Sequence, residues 1–232
     1  MPEVQRITRT GQFLTTVSEV TSLSPRMRRI TLTAPEIALR DWPLGCDIAI
    51  VLEAEDGREV RRRYTVRSVT DDRLVIDAVL HGHGPGSTRA VGLTTGDEVT
   101  FFGPRGEVPV TDADWVLAIA DEAGLPAVAA VAEALPGPIR VLAEIADGDE
   151  HYPLPTDTEV TWLLRGDRPA GSAEIFLAAL DGVAPGAGSG YAYVLGESRA
   201  AVAVRDALGR LGLDRSSVYA KGYWNLNSRS TH

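Results

Sequence analysis

The sequence predicts a two-domain β plus α/β chain: a six-stranded antiparallel β-barrel over residues 1–110, then a small parallel α/β domain over residues 111–232. Three observations carry this. Short alternating or β-branched runs recur through the first half, and none is long enough for a well-formed helix. In the second half the period changes, and strands alternate with helical stretches, as a parallel sheet with crossover helices requires. The charge also changes: residues 1–110 carry 14 Arg and 15 acidic residues, whereas residues 111–232 carry 8 Arg, one Lys and 17 acidic residues.

In the first half, strands are expected at Phe13–Val20, Met27–Thr33, Asp47–Glu53, Tyr64–Val69, Leu74–Leu80 and Glu98–Phe102. Pro25, Pro35, Pro43, Asp56-Gly57, Asp71-Asp72 and Gly96-Asp97 separate them as turn signals. Six strands at this spacing without helical crossovers imply an antiparallel barrel or sandwich, and the barrel is adopted here. The second half opens with a buried-strand run at Trp115–Ala120 and an Ala-rich helix at Leu125–Leu135 that stops at Pro136-Gly137-Pro138. Strands follow at Ile139–Ile145 and Val160–Leu164, then a helix at Ala173–Leu180, a strand at Tyr191–Leu195, a helix at Arg199–Leu211 and a short strand at Val218–Ala220. Asp181–Gly190, with four glycines in ten residues, reads as a surface loop.

Composition excludes several classes of function. The net charge is -9, and neither half is basic enough to neutralise a run of phosphates, so nucleic acid is not expected as a partner. Cys46 is the single cysteine, which rules out an intramolecular disulfide and a cysteine-based metal or iron–sulfur site. The first ten residues lack the apolar core of a signal peptide, and no stretch reaches the ~18 apolar residues of a membrane span. A soluble cytoplasmic protein without membrane insertion is therefore expected, and a monomer is taken as the default. Lys221 is the only lysine.

Chemistry concentrates in two segments of the first half. Arg58–Arg67 reads Arg-Glu-Val-Arg-Arg-Arg-Tyr-Thr-Val-Arg. On a strand, Arg62 and Tyr64 share one face and Arg63 and Thr65 the other, unless a bulge intervenes. An arginine beside an aromatic ring and a hydroxyl can grip a phosphate, cover a flat ring and hydrogen-bond a ring nitrogen. Such a strand also serves as a charged, protected edge. The second segment, His81-Gly82-His83-Gly84-Pro85-Gly86-Ser87-Thr88, offers backbone N–H groups and hydroxyls to an anion such as a diphosphate. Its two histidines lack a third ligand, so no metal site is expected.

Five segments together are similar to a known family. Arg-Arg-Tyr-Thr-Val-Arg (62–67), Val-Leu-His-Gly-His-Gly-Pro-Gly-Ser (79–87), Phe-Gly-Pro-Arg-Gly (102–106), Ala-Asp-Glu-Ala-Gly-Leu-Pro-Ala (120–127) and Lys-Gly-Tyr-Trp (221–224) stand in the order seen in siderophore-interacting proteins. These are FAD-dependent ferric-siderophore reductases of the ferredoxin-reductase-like superfamily. The resemblance implies an FAD-binding barrel and an NAD(P)H-binding-like second domain, with NAD(P)H or a ferredoxin as donor and a ferric siderophore as substrate.

Residue by residue, the resemblance implies that Arg62 binds the diphosphate and Tyr64 packs on the isoalloxazine. Thr65 would hydrogen-bond near the flavin N5, so Tyr64 and Thr65 are the expected catalytic residues, with Val66 beside them. The loop of His81, Gly84, Pro85, Gly86, Ser87 and Thr88 would wrap the diphosphate. Asp121 and Glu122, at the carboxyl end of the first parallel strand, would contact the flavin adenosine or the nicotinamide cofactor, and Trp224 would fold over the flavin. The acidic pair also suits a helix N-terminus, and no Gly-x-Gly-x-x-Gly follows that strand.

The chain departs from the family pattern at its tail, at Arg89 where a Trp is usual and at Ala123 where a Thr is common. Lys221, Arg229 and Arg89 are the cations expected to hold an anionic siderophore. The altered tail keeps two alternatives open: a flavoreductase with another electron acceptor, and a non-enzymatic flavin- or siderophore-binding module.

Overall fold

The computed structural model describes residues 11–53, 57–80 and 90–226. The chain falls into two units, Met1–Val108 and Pro109–His232.

The first unit is a closed barrel of six antiparallel strands: β1 (Gln12–Ser24), β2 (Met27–Thr33), β3 (Asp47–Glu53), β4 (Glu59–Thr70), β5 (Arg73–Val79) and β6 (Glu98–Arg105). Around the barrel the order is β1-β2-β5-β4-β3-β6. Inward side chains of period 2 fill the interior; Val17, Leu32, Ile48, Leu74, Ile76 and Phe101 are completely enclosed. Phe13 stacks on Phe101 with ring centroids 4.9 Å apart.

β4 starts at Glu59, five residues before the expected Tyr64. Its extra residues keep the pleat, with Val60 packed against the core while Arg61 and Arg63 point outward. Charge on the outer face of a strand costs little, so the basic run is strand rather than the preceding loop. The pairing register shifts between Val66 and Ser68, leaving Arg67 as the extra residue of a bulge. The bulge lies after Thr65, so Arg62 and Tyr64 do share one face and Arg63 and Thr65 the other.

The second unit is a five-stranded sheet in the order β11-β10-β7-β8-β9, with every pair parallel. Its strands are β7 (Trp115–Ala120), β8 (Ile139–Ile145), β9 (Glu159–Leu164), β10 (Gly190–Glu197) and β11 (Val218–Trp224). Helices α1 (Leu125–Ala134), α2 (Glu174–Leu180) and α3 (Ser198–Ala207) provide crossovers. Leu125 through Val131 of α1 are all buried, which explains its nearly uniform Ala/Val composition. The expected helix to Leu211 divides: α3 ends at Ala207, a 3-10 turn covers Leu208–Leu211, and Gly212 stops it at φ 77°.

β11 runs four residues past the expected Ala220 because its ladder with β10 continues, pairing Lys221 with Leu195, Gly222 with Gly196 and Trp224 with Glu197. Lys-Gly-Tyr-Trp is therefore strand and not a tail beyond the core. The chain leaves β7 toward β8 and β9 on one side and returns to β10 and β11 on the other. The switch point of this order lies between the carboxyl ends of β7 and β10, where open α/β sheets hold ligands.

Candidate functional site

In the barrel, the candidate residues lie at a local parting of strands. Glu59–Thr65 of β4 pairs with β3, from Glu53–Glu59 to Asp47–Thr65. The ladder of β4 with β5 begins only at Val66–Ile76. Among the described residues, the stretch carrying Arg62, Tyr64 and Thr65 thus has a ladder on one side, with the carboxyl end of β5 lying across a seam from it.

Tyr64 is half-buried and packs against the barrel core. Burial pushes its phenol up to about 12 against the opposing pull of the Arg62 charge, so it is a neutral ring at physiological pH. Arg62 is partly exposed and donates to the Arg61 carbonyl at 3.1 Å. Thr65 points to the outer face yet is only 5% exposed, and its Oγ1 has no hydrogen-bond partner among the described residues. A buried hydroxyl left unpaired is costly, and it marks a place where a ligand atom can bond.

Paired positions on adjacent strands face the same way, so Thr65, Asp47 and Arg105 form a row across β4, β3 and β6. Arg63 Nε lies 3.8 Å from Asp47 Oδ1. The Arg61 guanidinium sits 4.1 Å above the centre of the Phe102 ring and is held by Glu59 at 3.0 Å. Beyond the seam, buried Asp77 on β5 takes a two-pronged contact from Arg29 at 2.8 and 2.7 Å.

The α/β unit gathers a separate constellation at its carboxyl edge. Asp121 follows β7 directly and is 4% exposed. Its Oδ1 accepts from Ala123 N (2.9 Å) and Gly124 N (3.2 Å), and its Oδ2 from Glu197 N (2.9 Å) and Trp224 Nε1 (2.7 Å). Burial pushes this carboxyl up to about 7. The Trp224 bond opposes the rise, while Glu122 and Glu144 add to it by repulsion. Two glycines make the approach possible: a Cβ on Gly196 would sit 2.6 Å from Asp121 Oδ2, and one on Gly124 would collide with the Leu195 carbonyl.

Beside Asp121, Arg165 joins Glu122 (2.9 Å) and Glu144 (2.8 Å). Burial raises the Glu144 carboxyl even though Arg165 pulls it down, and the Glu144 Oε2 atom is buried without a partner among the described residues. Burial alone would lower the Arg165 guanidinium, but its two carboxylates hold it above its ordinary value. Lys221 and Tyr223 share one face of β11, with Lys221 Nζ 5.2 Å from the centre of the Tyr223 ring. Among the described residues, no group of three His, Cys, Asp or Glu is arranged to hold a metal ion, and no helix is long and apolar enough to cross a membrane.

Comparison with known proteins decides what these features belong to. Residues 43–108 match the model of the siderophore-interacting FAD-binding domain, and residues 113–227 match that of the siderophore-interacting protein. A siderophore utilization protein from T. fusca is 31% identical, with a TM-score of 0.84 over 94% of both chains. The chain belongs to the siderophore-interacting protein family. A second solved member, SipS from Aeromonas hydrophila, is 27% identical with a TM-score of 0.77, covering 93% of this chain and 99% of its own. Ferric vibriobactin reductase ViuB from Vibrio cholerae is 31% identical over 176 residues, which is 72% of this chain. The chain spans 65% of the length of that relative.

The barrel residues fit the FAD that the family's domain binds. An accessible guanidinium, a neutral aromatic ring and a buried hydroxyl in need of a partner stand within four residues of β4 beside the seam, the first two on one face and the hydroxyl on the other, with Val66 where the two ladders of β4 meet. His81, Gly84, Pro85, Gly86, Ser87, Thr88, Arg89 and Arg229 lie outside the described residues. Among the described residues, the four donors to Asp121 come from its own unit, while Glu122 keeps a partly exposed edge beside Arg165. Trp224 is fixed by Asp121 through its N–H and by Ser198 Oγ, which donates to its carbonyl at 2.8 Å.

Sequence reasoning did not find Arg165, Glu144, Glu197, Asp77 or Arg29. Arg165 directly follows β9, so the rule that functional side chains gather at carboxyl ends of parallel strands could have pointed to it. Glu197 and Glu144 are the terminal and penultimate residues of strands and carry no local signal.

Proposed function

We propose that the chain is an FAD-dependent reductase that takes reducing equivalents from NAD(P)H or a ferredoxin and reduces Fe(III) held by a siderophore. The observation that carries this reading is the buried, unpaired Thr65 hydroxyl beside Arg62 and Tyr64, inside the segment that matches a siderophore-interacting FAD-binding domain. Support for the substrate comes from the relatives, one of which is named a ferric vibriobactin reductase.

Arg62 would hold the diphosphate of FAD, aided by the loop of His81, Gly84, Pro85, Gly86, Ser87 and Thr88. Tyr64 presents an uncharged ring for packing, and the Thr65 hydroxyl presents a donor or acceptor to the edge of the flavin. Bound FAD supplies the exchange between a two-electron hydride donor and a one-electron acceptor. One NAD(P)H therefore serves two ferric chelates and releases one proton. Hard oxygen donors hold Fe(III) more strongly than the larger Fe(II), so reduction loosens the chelate and frees the iron. Glu122 lies at the switch-point edge, where a nicotinamide cofactor would dock. Lys221, with Arg89 and Arg229, would attract an anionic siderophore. The protein is read as a cytoplasmic monomer.

The test is a spectrum of the purified protein with FAD, followed under anaerobic conditions by NADPH, NADH or reduced ferredoxin, and then by a ferric tris-hydroxamate or tris-catecholate. Yellow protein is expected, bleached by at least one donor and recoloured as Fe(II) is trapped by a ferrous chelator. Colourless protein that takes up no FAD overturns the reading.

A further inference from the structure

Two buried carboxylates fasten the end of β11 to the switch point of the sheet. Asp121 accepts from the Trp224 indole at 2.7 Å and from Glu197 N at 2.9 Å. Glu197, 2% exposed, uses Oε2 to cap α3 through Arg199 N (2.6 Å) and Ala200 N (2.8 Å) and Oε1 to accept from Leu226 N at 3.2 Å. Three residues lacking a Cβ clear the space. A Cβ on Gly171 would sit 2.9 Å from both Glu197 Cγ and the Trp224 ring, one on Gly196 would press on Asp121, and one on Gly222 would collide with Ser198 Oγ. The strand held at its far end is the one that presents Lys221 and Tyr223, three residues and one residue before Trp224.

We infer that Asp121 is a positioning residue: through the Trp224 indole and the Glu197 amide, its carboxylate sets the register and exposure of the Lys221–Leu226 segment. It does not contact cofactor, because its four N–H donors use both oxygens. Among the described residues β11 is an edge strand with a single neighbour, and its pairing with β10 is already irregular between Gly196 and Glu197. Backbone pairing therefore holds its end weakly, and the side-chain tie supplies what a second neighbour strand otherwise would. A bond of 2.7 Å from an indole to a buried carboxyl is strong enough for that role.

The functional part of the test rests on the reductase reading; the spectroscopic part does not. In a nitrogen-15 spectrum of the full chain, the Trp224 indole N–H is assigned by its loss in Trp224→Phe. In Asp121→Asn this resonance, together with the Lys221 and Tyr223 amides, is expected to move, with indole hydrogen exchange faster by about tenfold, the equivalent of one lost hydrogen bond. KM for a ferric tris-hydroxamate is expected to rise about tenfold on the same scale, while NADPH oxidation by ferricyanide, a small acceptor that needs no strand to hold it, stays within about twofold. If Asp121→Asn does not fold, Trp224→Phe removes the same bond and the Lys221 and Tyr223 amides, which it retains, are read in its place. An unmoved indole and unmoved Lys221 and Tyr223 amides overturn the inference, and so does a parallel fall in both activities. If the wild-type chain reduces neither acceptor, the reductase reading fails, and the resonances alone decide the positioning role.

Discussion

Replacing Thr65 by Val is expected to move stability and cofactor affinity in opposite directions. The Thr65 side chain is 5% exposed and its hydroxyl has no partner among the described residues. An unpaired buried hydroxyl costs about 1–3 kcal/mol, and an isosteric methyl removes that cost while burying more apolar surface. The apoprotein should therefore gain about 1–2 kcal/mol. For a barrel of this size, each kcal/mol corresponds to about 4–8 °C in Tm. With FAD the sign should reverse, because on the proposed reading the flavin edge would lose its bond to Thr65. A loss of about 0.5–1.5 kcal/mol weakens Kd by roughly two- to tenfold. Thermal melts of apoprotein and a titration of flavin fluorescence read the two effects separately. Thr65→Ser is the control: it keeps the hydroxyl and gives up a methyl, so affinity should hold while stability falls by about 1 kcal/mol. A Thr65→Val apoprotein that melts lower than wild type, or binds FAD equally well, refutes the reasoning.

The other predictions concern the α/β unit. Asp121 moves from 3.8 to about 7 on folding, so between these values the native state keeps a proton that the unfolded chain has released. Unfolding free energy then falls as pH rises through that window, by about 4 kcal/mol from this group; urea melts should show the slope flattened in Asp121→Asn, and parallel slopes would contradict it. Arg165→Met leaves Glu122 and Glu144 facing each other without a cation, and should cost about 3–5 kcal/mol at pH 8 in urea melts. Part of that loss should return as the pH is lowered, because burial favours the protonated Glu144 carboxyl, and adding Glu144→Gln should restore most of it without any change of pH. Gly196→Ala should cost at least about 2 kcal/mol by pushing Asp121 off Trp224, seen as a lower melt and an altered Trp224 signal.

What sequence could and could not reveal follows from the range of the interactions. The strands of the barrel were legible because their alternation is local, and so was α1, whose Ala/Val run ends at a proline. β4 was read short because a basic run resembles a loop when its pairing partner, Asp47–Glu53, is out of view. β11 was read short for the related reason that its last four residues are strand only through their ladder with β10. The Arg62, Tyr64 and Thr65 group was legible as a motif, whereas the seam beside it depends on where β4 exchanges one neighbour for another. Asp121 was correctly placed at a strand end. Its role was hidden because Trp224 lies 103 residues away in sequence and Glu197 76 residues away.

That exchange of neighbours along β4 means the barrel is closed by two half-ladders that meet at Val66. On the proposed reading, FAD would bind along the stretch before that junction, where β4 has a ladder on one side among the described residues. Cofactor and fold are then one thermodynamic system, and the melting temperature of the barrel becomes a measure of free FAD. At saturation each tenfold rise in FAD should add about 1.4 kcal/mol, so the protein would be sturdiest in the cell when it is also ready to work.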